Sequence, residues 1–131
     1  MPKSALLARR YTEEHEWVDA IDDGIIVGIT EFAQDQLGDV VSVELPEVGV
    51  SYRHNDAMAI IDSVKTSTDV YSPVDGRVTH VNENLLSQPE LINKSPYQDG
   101  WIVKMVPENR AQLDSMLTQD QYDELVGSAE K

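Results

Sequence analysis

Short apolar runs alternate along most of the chain with polar turn residues, and this pattern is typical of a mainly β protein. The runs predict strands at residues 25–29, 40–45, 58–61, 70–74, 78–81 and 101–106. In the second run Val41, Val43 and Leu45 alternate with polar residues, which predicts a half-buried strand. Many short strands without long helices between them indicate a sandwich or barrel.

Helical signals are few. Thr30 has the character of an N-cap for a short helix that buries Phe32, Ala33 and Leu37 and ends at Gly38. Another short helical turn is expected near residue 89.

The C-terminal part of the chain carries two further helical patterns. Thr118 and Gln121 have the spacing of a capping box, and the helix that they open is expected to end at Gly127. Apolar faces are predicted on both sides of this cap, at Leu113, Met116 and Leu117 and at Tyr122, Leu125 and Val126. We interpret these faces as lids that cover the strands.

Composition narrows the classes of function. The 131 residues suit one domain over residues 1–131, with a core at about 11–126 and a frayed N-terminus at 1–10. The chain contains no cysteine, which excludes disulfides and thiolate chemistry. No apolar run could span a membrane, and 5–8 is too short for a signal peptide, so we expect a cytoplasmic protein, or a mitochondrial matrix protein if a transit peptide has been removed.

The net charge of −14 is unevenly distributed, with eleven acidic and no basic residues between Tyr11 and Tyr52. Nucleic acid and anionic membranes are therefore disfavoured as partners, because both require basic surfaces. A basic protein partner fits this charge better. We expect a monomer.

Lys65 is a conspicuous basic residue, because it lies between two apolar runs that predict a β-hairpin. The runs are residues 57–61 and 70–74, and Lys65 falls at or near the tip between them. A lysine at a strand end is usually only a solvated charge. A lysine presented on a hairpin is also accessible to other proteins and suited to covalent modification.

The residues around Lys65 resemble the modification hairpin of lipoyl carrier domains, and the other motifs are similar to those of the glycine cleavage system H-protein family. These motifs are residues 11–18 (YTEEHEWV), 27–30 (VGIT), 43–49 (VELPEVG), 72–78 (SPVDGRV), 89–93 (PELIN) and 95–97 (SPY). They occur in family order over about residues 11–126. The resemblance implies a lipoyl-domain-like β sandwich, also called a barrel-sandwich hybrid.

The resemblance also implies a function. Lipoate would be attached covalently to Lys65, and the protein would be a non-catalytic carrier. It would shuttle the methylamine group of glycine from a pyridoxal-phosphate glycine decarboxylase to a tetrahydrofolate-dependent aminomethyltransferase, with reoxidation by dihydrolipoyl dehydrogenase. A lipoyl ligase or transferase would be a further partner. From the residues alone, the scattered histidines and serines provide no metal site and no catalytic group.

Four more residues receive roles by resemblance. Glu16 and Asp69 would dock the loaded arm, and Asp62 and Gly76 would be read by the lipoyl ligase. Asp62 stands where family members commonly carry Glu, which is one methylene longer. The unusual turn at residues 54–56 contains Asn55, which tolerates a positive φ.

The sequence is also compatible with other classes of protein. A lipoyl domain of a 2-oxoacid dehydrogenase would bring Ala/Pro-rich linkers, and a biotin carrier would set methionines beside the lysine, where this chain has Val64 and Thr66. A lipoyl-relay protein of the same fold would donate its lipoyl group to other carriers. An unmodified binding paralogue would differ from all of these in its intact mass.

Overall fold

The computed structural model describes residues 9–21 and 23–129. Its strands are β1 (Arg10–Tyr11), β2 (Glu16–Ile21), β3 (Gly24–Ile29), β4 (Val40–Glu44), β5 (Ser51–Tyr52), β6 (Ala57–Ser63), β7 (Ser67–Tyr71), β8 (Gly76–Val81) and β9 (Val103–Pro107). Its helices are α1 (Glu31–Leu37), α2 (Asn84–Ser87), α3 (Leu91–Lys94), a 3₁₀ helix at Arg110–Ser115 and α4 (Gln119–Ala129).

The strands form two antiparallel sheets, as the sequence predicts for a sandwich. One sheet has the order β1-β2-β3-β9-β8-β5, and the other has the order β4-β6-β7. The main core lies between them and consists of aliphatic side chains from both sheets, including Val27 and Met105 from the first and Ile61 and Val70 from the second. This arrangement is a lipoyl-domain-like β sandwich, and it leaves β7 at an edge.

The hairpin predicted around Lys65 is present, but its second strand begins and ends earlier than expected. The strand is β7, at Ser67–Tyr71, instead of residues 70–74. It ends because Pro73 has no backbone N–H to donate to a ladder. The neighbouring Ser72 hydroxyl instead donates to the Val74 carbonyl oxygen at 2.7 Å, and Val74 turns into the core.

The alternation predicted at residues 41–45 is interrupted. A register shift between Val40 and Ser42 inserts an extra residue in β4, so Val40 and Val43 are buried while Val41 is 54% exposed. An inserted residue of this kind changes which side chains face inward. The prediction that Val41 faces the core was therefore wrong.

Helix α1 follows its prediction at both ends. The Thr30 hydroxyl oxygen accepts from the Ala33 N–H at 3.2 Å, and Gly38 ends the helix with φ 77°. Leu37 is buried as expected, and so is Gln34, which was not predicted. Phe32 and Ala33 are only half-buried because they line a cleft.

The C-terminal segment was predicted less well. The capping box is confirmed, since the Thr118 N–H donates to Gln121 Oε1 at 2.9 Å. However, Leu117 belongs to no helix, because its backbone N–H and carbonyl group pair with Tyr11, each at 2.9 Å. Helix α4 also continues past Gly127, whose φ is not positive, to Ala129.

Structure begins before the predicted core. Arg10, in β1, pairs with Val18 of β2, and the Arg9 guanidinium forms an ion pair with Asp19 at 2.6 Å. Ile21 pairs with Gly24, so β2 and β3 form a hairpin, and Asp22 between them lies outside the described residues. No helix within the described part of the chain is long and apolar enough to cross a membrane.

Candidate functional site

Lys65 lies in the turn that connects β6 and β7, and its side chain is exposed. Ser63 closes this turn. Its hydroxyl oxygen accepts from the backbone N–H groups of Lys65 at 3.1 Å and Thr66 at 3.2 Å. The Ser63 N–H donates to the Thr66 carbonyl oxygen at 2.8 Å. The turn is therefore a bonded structure that presents the lysine outward.

The same turn is attached to the segment that joins α1 to β4. The Val64 N–H donates to the Asp39 carbonyl oxygen at 3.0 Å. The methylene groups of Lys65 lie over Gly38, where a Cβ atom would come within 3.3 Å of the Lys65 Cε. Gly38 therefore meets two demands, a positive φ at the end of α1 and space for the lysine stem.

A cleft of about 410 Å³ lies between this hairpin and helix α1. Its apolar lining comes from Ile29, Phe32, Ala33, Leu37 and Val70, and its polar lining from Glu14, His15, Glu16, Gln36 and residues 66–69. The volume falls within the range of about 300–1,000 Å³ that small-molecule sites occupy. The strand that follows Lys65 therefore forms one wall of a cavity that can receive a small apolar chain with a polar end.

Glu16, one of the two predicted docking acids, lines this cleft and is 2% exposed. One carboxylate oxygen accepts from the Thr12 hydroxyl at 2.6 Å, and the other accepts from the Tyr71 N–H at 3.1 Å. Because Tyr71 is in β7 and Glu16 in β2, the carboxylate links the two sheets. Burial raises the pKa of Glu16 from its ordinary value of 4.5 to about 7.

Asp69, the second predicted docking acid, is an exposed residue of β7 that lines the same cleft. It also borders a second hollow beside β4. The structure therefore brings Glu16, Asp69 and the strand that follows Lys65 to one cavity, with one acid buried and the other in contact with solvent.

His15 was not assigned a role from the sequence, but it also lines the cleft. It has φ 70°, and its ring lies 4.8 Å from that of Phe32. Its Nδ1 is hydrogen-bonded to the Tyr122 hydroxyl at 2.8 Å, so helix α4 holds the ring in place. Burial lowers the pKa of His15. In the sequence, only the adjacency of His15 to Glu16 indicates that His15 lies at the cleft.

The two predicted ligase-recognition residues lie in different sheets. Asp62 is next to the tip of the hairpin, where its carboxylate accepts from the hydroxyls of Ser42, at 3.1 Å, and Ser67. Gly76 begins β8 in the other sheet, and a Cβ there would come within 2.7 Å of the Val106 carbonyl oxygen. Packing alone thus accounts for glycine at 76, and the recognition role of both residues stays a prediction.

Comparison with known proteins agrees with this arrangement. The profile of the Glycine cleavage H-protein family matches residues 9–129. The chain belongs to this family. The Glycine cleavage system H protein of Listeria welshimeri is 52% identical over 123 residues, which cover 94% of this chain and 95% of that protein. That of a Geobacillus species is 46% identical over 117 residues, covering 89% and 92%.

A solved structure is also similar. The crystal structure of a glycine cleavage system H protein from Mycobacterium marinum matches with a TM-score of 0.84 and 33% identity, covering 97% of this chain and 99% of that one. Membership of the H-protein family makes the chain a lipoyl carrier component of the glycine cleavage system. The turn with the exposed lysine is the part of the site that suits such a carrier.

The raised pKa of Glu16 predicts how stability depends on pH. Between pH 4.5 and 7 an unfolded chain loses the Glu16 proton while the folded protein retains it. Increasing pH therefore favours unfolding. The free energy of unfolding of the wild type should fall by about 3 kcal/mol relative to Glu16→Gln across this interval.

Urea unfolding of both proteins at closely spaced pH values measures this difference, and the variant serves as the control for all other ionisable groups. Below pH 4 the two curves should run parallel, because Glu16 is protonated in both states. Parallel curves from pH 4 to 8 would show that Glu16 titrates normally despite its burial.

Proposed function

We propose that Lys65 carries lipoate through an amide on its Nζ. The arm would shuttle the methylamine group of glycine from a pyridoxal-phosphate glycine decarboxylase to a tetrahydrofolate-dependent aminomethyltransferase. The single observation that supports this proposal most strongly is the exposed lysine on a bonded turn next to a cleft. When bound, lipoate would supply a disulfide whose S–S bond opens as one sulfur takes up the methylamine group, and the dithiol left after that group is transferred would be reoxidised by dihydrolipoyl dehydrogenase.

The residues of the site fit this group. An amide at Lys65 Nζ needs an amine that an enzyme can reach, and Lys65 is exposed. A carbon chain with two sulfurs needs an apolar surface, which Phe32, Ala33 and Leu37 provide along one side of the cleft. The cleft begins at the strand next to the lysine, so a long flexible arm can reach it.

Glu16 and Asp69 would receive the amine end of the cargo. An amine bound to a one-carbon unit is protonated near neutral pH, and a nearby cation favours the ionised form of a carboxyl group. Arrival of the cation would thus lower the raised pKa of Glu16. Asp69, at the solvent side, would add a second negative charge. Enclosure by these groups protects the cargo from water.

The chain itself would catalyse no step, and its partners would perform the chemistry. A lipoyl ligase or transferase would first modify Lys65, and Asp62 beside the tip is the carboxylate it would read. The bacterial origin of the similar proteins favours the cytoplasm over the mitochondrial matrix as the location. An excess of negative charge suits transient contacts with basic surfaces of partners.

A lipoyl-relay role remains the second candidate, because the exposed Lys65 turn would serve a donor of lipoyl groups equally well. Transfer of labelled lipoate from this protein to the apo form of another carrier would reveal that role. Glycine-dependent turnover with the decarboxylase and aminomethyltransferase would support the carrier role instead.

Lys65→Arg should fold like the wild type but remain unmodified, because arginine keeps the charge and lacks an amine that the ligase can acylate. Each protein is incubated with lipoyl ligase, lipoate and ATP, and intact mass and peptide mapping are recorded. We expect one lipoyl adduct on the wild type, located on Lys65, and none on the variant.

Lys94→Arg is the matched control, because Lys94 is also exposed but lies at the end of α3, outside the cleft. It should take up one adduct, as the wild type does. An adduct on any lysine other than 65, or full modification of Lys65→Arg, would rule out the proposed attachment site.

Glu16→Gln and Asp69→Asn should each release the carried methylamine group about tenfold faster than the wild type. A hydrogen bond to a charged group contributes roughly 1.5–3 kcal/mol, and 1.4 kcal/mol is a factor of ten. Formaldehyde formation from the isolated, loaded carrier measures the release. Lipoylation of Lys65 should be unaffected in both variants.

Glu108→Gln provides the control, because Glu108 is an exposed acid that does not line the cleft. Its release rate should equal that of the wild type, which would exclude an effect of net charge alone. If the two cleft variants also retain the group as long as the wild type does, Glu16 and Asp69 do not dock the arm.

A further inference from the structure

One side chain from a distant part of the sequence organises the segment on which Lys65 rests. Asn93, in α3, forms three hydrogen bonds of 2.9 Å. Its Oδ1 accepts from the Val40 N–H, and its Nδ2 donates to the Gly38 carbonyl oxygen and to Gln34 Oε1. Both N–H donors of the amide and one acceptor position of its oxygen are therefore directed at the end of α1 and the start of β4.

These bonds fix the connection of residues 38–40. Gly38 leaves the helix with φ 77°, so its carbonyl group points away from the helix axis and needs another donor. The first residue of β4, Val40, has its N–H bonded to Asn93 instead of to a strand. Removing Asn93 would leave both backbone groups without their partner, which is costly in a half-buried position.

The connection in turn holds the Lys65 turn. Within it, Asp39 accepts the Val64 N–H at 3.0 Å, and Gly38 supports the methylene groups of Lys65. Val40 is paired with Ser63, the residue that closes the turn. A displacement of residues 38–40 would therefore move the lysine relative to Phe32 and Leu37, which line the cleft.

We propose that Asn93 is a positioning residue that sets the place of Lys65 relative to the cleft. The consequence for the arm rests on the proposed function, because only a lipoyl arm on Lys65 would enter the cleft less well when its base is displaced. The geometric part of the proposal can be tested on the unmodified protein, so that the two proposals can fail separately.

The first experiment measures backbone amide exchange by NMR in unmodified wild type, Asn93→Ala and Asn82→Ala. Asn82 is the matched control, because its Nδ2 also donates to two backbone carbonyl oxygens, those of Asp99 and Trp101, at 2.8 Å each. These bonds belong to a loop that does not line the cleft. Urea unfolding of each variant separates local from global effects.

We expect the Val64 amide to exchange about tenfold faster in Asn93→Ala, and the Ile102 amide, which donates to Val27 at 2.8 Å, to be unchanged. In Asn82→Ala the Ile102 amide should exchange faster and the Val64 amide should be unchanged, because Asn82 binds the carbonyl oxygen of Trp101, which precedes Ile102. If Asn93→Ala changes both amides equally, Asn93 stabilises the fold as a whole, and if it changes neither, Asn93 does not hold the Lys65 turn; either result would overturn the proposal.

Asn93→Asp provides a second variant in case alanine unfolds the protein. It keeps the volume and the acceptor for the Val40 N–H but loses the donor to the Gly38 carbonyl oxygen. We expect Val40 to stay protected while Val64 exchanges faster. Protection of Val64 at the wild-type level in this variant would contradict the proposal.

The second experiment compares the lipoylated proteins. Asn93→Ala should accept lipoate at the wild-type rate, since Lys65 stays exposed, but should release the carried methylamine group at least threefold faster, whereas Asn82→Ala should not. Unchanged release would overturn a role of Asn93 in positioning the arm. Failure of the wild type to accept lipoate would refute the proposed function and leave the exchange result intact.

Discussion

The buried carboxylate of Glu16 holds together the part of the molecule on which the site depends. Among the described strands, edge strand β7 pairs with β6 alone, and Glu16 supplies an acceptor for the Tyr71 N–H on its other side. The same carboxylate accepts a hydrogen bond from the hydroxyl of Thr12, which lies in the turn that leads into β2. The two sheets are thus joined at one end, while a cleft remains open along the rest of β7.

This arrangement has an energetic cost that relates to function. A carboxylate with 2% exposure is poorly solvated, and two hydrogen bonds compensate only in part, so its pKa rises to about 7. A cation in the cleft would supply the missing compensation. The desolvation cost of the Glu16 carboxylate would then be offset only when the cargo is in place, whereas the exposed Asp69 would attract the cation at all times.

Local signals in the sequence predicted the hairpin of Lys65 and helix α1, because both depend on turn and cap residues close in sequence. Strand β2 was not predicted. Its residues, among them the buried Trp17, lie in a segment whose acids interrupt the alternation, and the burial of Glu16 depends on Tyr71, far along the chain.

The role of Asn93 could not be read from local pattern either. Its partners are Gln34, Gly38 and Val40, and only the folded chain brings α3 beside the end of α1. The motif around it resembled the family, but resemblance gives no geometry. The extra residue in β4 was missed for a similar reason, because a bulge depends on the partner strand.

An arm on Lys65 would enter the cleft between the hairpin and α1. The most direct measurement is a comparison of amide NMR spectra of the unmodified and the loaded protein. We predict that the largest shifts fall on residues 66–70, His15, Phe32 and Ala33, which line that cleft. A groove of about 580 Å³ near His54 and Gln112 serves as the internal control. Shifts concentrated around His54 and Gln112, with none in the cleft, would show that the arm does not bind there.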